Sequence, residues 1–191
     1  MAATPSTMLA LGTTMPDFSL PDLEGNLVSS SAFAGAKATL VVFLCPHCPF
    51  VQHTRMGIGR FGRDYQARGL AMVAINSNDT IAFPEDGAEG MKEEAAIAGY
   101  TFPYLRDETQ YVAKLFKAAC TPDFFLFDES KRLVYRGQLD SSRPRNNTPV
   151  TGEDLRAAAD AVLSGAAVTT DQRASIGCNI KWKPGNEPSY F

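Results

Sequence analysis

Residues 38–50 read ATLVVFLCPHCPF: an unbroken apolar run, then two cysteines and two prolines, then the first turn of a helical pattern. Ala38–Phe43 is β-branched in its middle and carries no charged position, as expected of a strand buried on both faces at the centre of a sheet. From Pro49 to about Arg68, Val51, Ile58, Phe61 and Tyr65 recur near a 3.6-residue period, which predicts a long amphipathic helix. Gly57 and Gly59 lie inside it and weaken it. A buried strand, a Cys45-Pro46-His47-Cys48 turn and a helix in direct succession place two sulfurs at the end of a central strand and the start of a helix.

The prolines decide which sulfur caps that helix. If Cys45 were the cap, Pro49 would fall within the first full turn, where a missing N–H costs about 3 kcal/mol. With Cys48 as the cap, Pro49 takes the first helical position, where proline is favoured. A residue before proline also avoids helical angles, as an N-cap should. A helix N-terminus stabilises the thiolate, the form of cysteine that attacks. Cys48 is therefore the predicted nucleophile and Cys45 its resolving partner. His47 adds positive charge beside both.

The remaining pattern alternates strands and helices. Phe18–Leu20 and Leu27-Val28 flank a polar turn and predict a hairpin. Leu70–Ile75 predicts a second buried strand, 88–98 a helix, Phe102–Leu105 a short strand and Thr109–Lys117 another helix. Phe124–Phe127 and Arg132–Tyr135 predict an antiparallel pair, and Thr151–Asp154 a capping box opening a helix to about Leu163. The final stretch, RASIGCNIKWKPGNEPSYF, holds too much Pro, Gly and Asn for a regular element. Its Ile176, Ile180 and Trp182 nevertheless suit it to pack on the body. The expected architecture is one α/β domain over residues 1–191, of thioredoxin-like fold. A central mixed β-sheet is flanked by helices, with an N-terminal β-hairpin and a C-terminal irregular tail, 171–191, packed on the domain.

Within that fold Thr121-Pro122 stands just before a strand, where a cis-proline loop faces the active cysteines. A cis bond is predicted there, with Thr121 and Pro122 offering an extended edge to a substrate's backbone and Pro46 and His47 completing the substrate contact. Cys178, set in an apolar tail, is a candidate resolving thiol if the tail docks. Cys120 reads as a small buried hydrophobe, and His53 as a solvated or hydrogen-bonded side chain. Four cysteines in 191 residues do not make a disulfide framework, and a close Cys-x-x-Cys reads as redox or metal chemistry. Zinc on Cys45, Cys48 and His53 would lack the second cysteine pair of a structural site, so neither metal nor cofactor is expected.

Bulk properties set the surroundings. A net charge of −3 argues against nucleic acid and membrane surfaces as partners. No stretch approaches the roughly 20 apolar residues of a membrane span. The first residues have no basic region or long apolar run, so no cleaved signal is expected. A cytoplasmic location, where cysteines are kept as thiols, is the expectation.

Five segments, MPDFSLPDLEGNLVSSSAF, ATLVVFLCPHCPFVQ, LAMVAINSND, AACTPDFFLFD and RLVYRGQLD, resemble the redoxin branch of the thioredoxin superfamily. That branch holds peroxiredoxins and TlpA/ResA-like thiol-disulfide oxidoreductases. The chain is most similar to a peroxiredoxin-like group whose members end in a motif like SIGCNIKWKPGNEP. The resemblance spans nearly the whole chain and implies the fold and thiol chemistry. It also implies disulfide substrates on proteins or small molecules, and regeneration by thioredoxin or another thiol system. Peroxiredoxins carry a proline and a threonine seven and three residues before the attacking cysteine; counted from Cys48, Val41 and Cys45 stand there. The tetrapeptide itself is similar to that of the oxidant DsbA. Three readings follow: a thiol-disulfide oxidoreductase, a thiol-dependent peroxidase with an antioxidant role acting on hydroperoxides, and a non-catalytic interaction or metal-binding module.

Overall fold

The computed structural model describes residues 3–190. Strands β1 (Ala3–Pro5), β2 (Ser19–Pro21), β3 (Leu27–Ser29) and β4 (Ala38–Phe43) precede helix α1 (Pro49–Gln66). There follow β5 (Leu70–Asn76), α2 (Ala88–Ala98), β6 (Tyr104–Arg106), α3 (Tyr111–Leu115), β7 (Cys120–Thr121), β8 (Asp123–Asp128), β9 (Leu133–Gly137), α4 (Glu153–Ser164) and β10 (Ile176–Asn179). The main sheet has the order β6-β5-β4-β8-β9. In it β4 runs parallel to β5 and antiparallel to β8, so the sheet is mixed. β2 and β3 form the N-terminal hairpin.

All six residues of β4 are buried because both of its faces are covered. Successive side chains point to opposite faces. Leu40 and Val42 join Cys45, Cys48, Ile58, Phe61 and Leu155 in one core, under α1 and α4. Val41 and Phe43 join Phe116, Phe125, Phe127 and Trp182 in the other. The redox loop thus stands on the α1 side of the sheet.

The glycines of α1 have a packing reason. A Cβ on Gly59 would lie 2.1 Å from the carbonyl oxygen of Ala98, the last residue of α2, so only glycine lets the two helices meet there. Gly59→Ala is expected to destabilise the fold by about 1–3 kcal/mol in urea unfolding. A variant as stable as the parent would show that this contact relaxes freely.

Strands β1 and β7 are additions to the sequence expectation, and three further elements depart from it. The capping box before α4 does not form. Gly152 is its N-cap at φ 74, a left-handed conformation natural to glycine, and Asp140 accepts the Thr151 and Gly152 N–H groups at 2.8 and 2.6 Å. Helix α3 is shorter than the predicted 109–117. The tail is irregular from Ile180 onward, but residues 176–179 form β10, held between two strands despite their composition. Cys178 pairs with Ala3 of β1 on one side and Thr121 of β7 on the other. Beyond β10 the tail is clamped by Gln110, whose amide donates to the Lys181 carbonyl (2.9 Å) and accepts the Lys183 N–H (2.9 Å), while Asn78 accepts the Lys181 N–H (2.9 Å).

Candidate active site

The loop after β4 is fixed by its backbone. Leu44 N–H bonds Ile75 at 3.0 Å, and Cys48 N–H closes a turn onto Cys45 O at 3.4 Å. Cys48 is the N-cap of α1, at φ −70 and ψ 119, with Pro49 as the first helical residue. Gln52 N–H donates to Cys48 O at 2.9 Å and starts the helical ladder. The proline argument therefore assigns the cap correctly.

The Thr121–Pro122 peptide is cis, and its loop faces both cysteines. The Cys45 sulfur lies 3.2 Å from the Thr121 hydroxyl, and the protonated Cys48 thiol donates to the Thr121 carbonyl at 3.1 Å. Cys178 completes the cluster: it stands opposite Thr121 across β10 and β7 and is buried in the same core as Cys45 and Cys48. Cys48 is 0% exposed, Cys45 1% and Cys178 2%. The predicted site residues Cys45, Cys48, Cys178, Thr121 and Pro122 thus meet at one point, with His47 beside them.

The three sulfurs differ in acidity for identifiable reasons. Burial opposes ionisation of Cys48. Hydrogen bonds from Cys178, Cys45 and Thr121, together with the Val51 N–H, outweigh it and hold this thiol well below the ordinary range. Burial pushes Cys45 up, and its bond to Cys48 and the nearby Asp86 charge push it further. Cys178 is raised first by its bond to Cys48 and then by burial. One sulfur is set to carry the charge, and two are set to keep their protons.

His47 is braced by a residue that sequence reasoning missed. Asp86, fully buried, accepts the His47 N–H at 3.0 Å and its Nδ1 at 2.5 Å. Asn78 donates to the same carboxylate at 2.7 Å, and Phe83 stacks on the imidazole at 5.5 Å. The Asp86 bond raises the His47 pKa against the opposing effect of burial, favouring imidazolium. Asp86 sits in a Pro-Glu-Asp-Gly stretch that reads as an ordinary turn, so no local signal marks it. Two more buried carboxyls escaped notice. Glu94 accepts from Tyr104 at 3.1 Å and burial pushes it up to about 7. Asp123, next to the cis-proline, accepts from Ser6 at 3.2 Å and burial also pushes it up to about 7.

The remaining sulfur and imidazole stand apart. Cys120 is buried and faces the Pro122 carbonyl at 3.8 Å, with its thiol raised by burial. His53 bonds Ser142 at 2.7 Å, so the zinc set weighed from sequence is not assembled. Among the described residues, the groups spaced to hold a metal ion are Cys45, His47 and Asp86, within 4.8 Å of one another. The Asp86 carboxylate is already engaged by His47 and Asn78, which makes this trio a brace for the loop. A cavity of about 250 Å³ is lined by Pro46 and His47 of the loop with Arg55 and Glu94. Among the described residues no helix is long and apolar enough to cross a membrane.

A mixed sheet that presents a Cys-x-x-Cys at a helix start, opposite a cis-proline, defines a thioredoxin-like redox protein. The chain belongs to the Redoxin family, whose model matches residues 10–155. It is 27% identical over 130 residues to the thiol-disulfide oxidoreductase ResA of Geobacillus thermodenitrificans, covering 68% of this chain and 70% of that relative. Its structure is similar to a conserved protein of Geobacillus kaustophilus described as uncharacterized, with 52% identity, TM-score 0.94, and 97% and 98% of the two chains covered. It is equally similar to a hypothetical protein of Sinorhizobium meliloti 1021, with 54% identity, TM-score 0.93, and 95% and 100% covered.

Proposed function

We propose that this protein is a thiol-disulfide oxidoreductase in which Cys48 attacks and Cys45 resolves. The observation that carries the reading is the Cys48 sulfur at the cap of α1, 3.1 Å from the Thr121 carbonyl of the cis-proline loop, with Cys45 and Cys178 buried in the same core cluster. In the reductive direction the Cys48 thiolate attacks a substrate disulfide and forms a mixed disulfide, and the released thiolate takes up a proton. Forming that bond removes the negative charge that held the Cys45 proton. Cys45 then gives up its proton, attacks the Cys48 sulfur and releases the second substrate thiol. The Cys45–Cys48 disulfide is returned to thiols by two electrons from thioredoxin or another thiol system. The Asp86 carboxylate favours the imidazolium form of His47, and positive charge there favours thiolate character at the loop. Thr121 and Pro122 position the substrate, with Pro46 at the rim. Hydroperoxides are the lesser substrate class, because Val41 and Cys45 occupy the positions of the peroxide-pocket proline and threonine.

The pH dependence of iodoacetamide labelling tests the assignment. Wild type and Cys45→Ser are expected to label Cys48 with an apparent pKa well under the roughly 8.5 of a free thiol. The absence of two hydrogen-bond donors in a Cys45→Ala/Cys178→Ala double variant should move that value upward. Rapid labelling of Cys45 at low pH in Cys48→Ser would reverse the two roles.

A further inference from the structure

β10 lies where a client would have to lie. A cis-proline loop offers its preceding residues as a free strand edge for an extended peptide. Here that edge, Cys120–Thr121, is already paired antiparallel with residues of the chain's own tail, Cys178 opposite Thr121 and Asn179 opposite Cys120. The pairing is built for close approach. A Cβ on Gly177 would sit 1.9 Å from the Thr121 carbonyl oxygen, so no other residue lets β10 come this near the loop. The residue that pairs with Thr121 is a cysteine, buried in the same core cluster as Cys48, whose own sulfur lies 3.1 Å from the Thr121 carbonyl. On its far side β10 is covered by β1.

We propose that β10 is a resident substrate strand. It occupies the peptide-binding edge, Cys178 takes the place of a client's cysteine, and the first external oxidant is a small disulfide, a protein client being admitted only when β10 leaves. The inference rests on Cys48 being the attacking sulfur. With a low-molecular-weight disulfide RSSR, the Cys48 thiolate forms Cys48–S–S–R and releases RS⁻, which is protonated. Cys178 then loses its proton, attacks the Cys48 sulfur, forms Cys48–S–S–Cys178 and releases the second R group as RSH. RSSR gains two electrons and two protons, and the protein dithiol loses them. Cys45 then attacks the Cys48 sulfur, forms Cys45–Cys48 and restores the Cys178 thiol. The three sulfurs make a relay in which β10 is oxidised and reduced without leaving the molecule.

Oxidised glutathione on the full chain, with acid quenching and mass spectrometry of peptides, tests this. In Cys45→Ser the expected main product is a Cys48–Cys178 disulfide. A product that stops at Cys48–glutathione with Cys178 still alkylatable overturns the relay and leaves the nucleophile assignment intact. Glutathione found on Cys45 of wild type, with Cys48 unmodified, overturns both. The edge is tested separately with a polyethylene glycol maleimide against iodoacetamide. Gly177→Ala is expected to raise Cys48 labelling by the bulky reagent about tenfold over wild type, as release of a locally docked strand would. Equal labelling of wild type by the two reagents overturns the occlusion. Amide exchange reads the same strand without any substitution. Protection of β10 comparable to β4 supports occlusion at rest, and unprotected β10 amides overturn it.

Discussion

Cys48→Ser should lower turnover of a disulfide substrate by about 10³-fold or more, the scale seen when a covalent nucleophile is removed. No other sulfur can substitute in place. Burial still opposes ionisation of Cys45 and Cys178 once the Cys48 sulfur is gone, neither sits at the cap of α1, and Cys120 faces the Pro122 carbonyl. Serine keeps the helix cap and the approach to Thr121, so the fold should survive and the loss should fall on the chemical step. Cys45→Ser is expected to behave differently: its first attack persists and mixed or Cys178-linked disulfide accumulates. Stopped-flow measurement with a chromogenic small disulfide separates the two. A Cys48→Ser variant within tenfold of wild type would remove the mechanism.

Glu94→Gln should stabilise the protein relative to wild type by an amount that grows with pH. Below about pH 4 the Glu94 carboxyl is protonated whether the chain is folded or not. Between its ordinary value of 4.5 and its folded value of about 7, the unfolded chain ionises this group while the folded chain holds the proton. The unfolded state then binds fewer protons, so wild-type stability falls as pH rises through that window, by on the order of 3 kcal/mol. Asp123, moved from 3.8 to about 7, acts in the same direction. Cys48 acts oppositely, since its favoured folded thiolate makes stability rise until the unfolded thiol itself ionises. The carboxyl effect is therefore read as the difference between variant and wild type in urea unfolding at pH 5 and pH 8. A difference that does not change between those two pH values would show that Glu94 is ionised in the folded protein.

The redox loop was legible because its signals are local. A short β-branched run without a charge reads as a central strand, and Pro49 admits only one residue as the cap before it. The cis bond at Pro122 was legible from its place before a strand once the fold was in hand. What escaped was held by distant partners. β1, β7 and β10 have three, two and four residues, too few for a period to show, and exist because each is paired across the chain. Glu94 lies in an Ala- and Glu-rich helix where every carboxyl looks solvated, and only packing beneath Tyr104 buries it. Thr151 offered a capping box, but Asp140, eleven residues earlier, takes the Thr151 N–H that the box would have used and the Gly152 N–H beside it.

The Gln110 clamp gives the tail a kinetic property. Cys178 lies three residues before Lys181, where Gln110 and Asn78 grip the backbone. A β10 that swings away from Thr121 is thus tied down at its C-terminal side by a very short leash. On a tether of that kind Cys178 confronts Cys48 at an effective concentration on the order of millimolar or above. A dissolved thiol must match that concentration to intercept a Cys48 mixed disulfide, and a sparse one loses the race. Which products escape is then set by leash length, so inserting glycines between Cys178 and Lys181 would shift the outcome from internal closure toward capture by outside thiols.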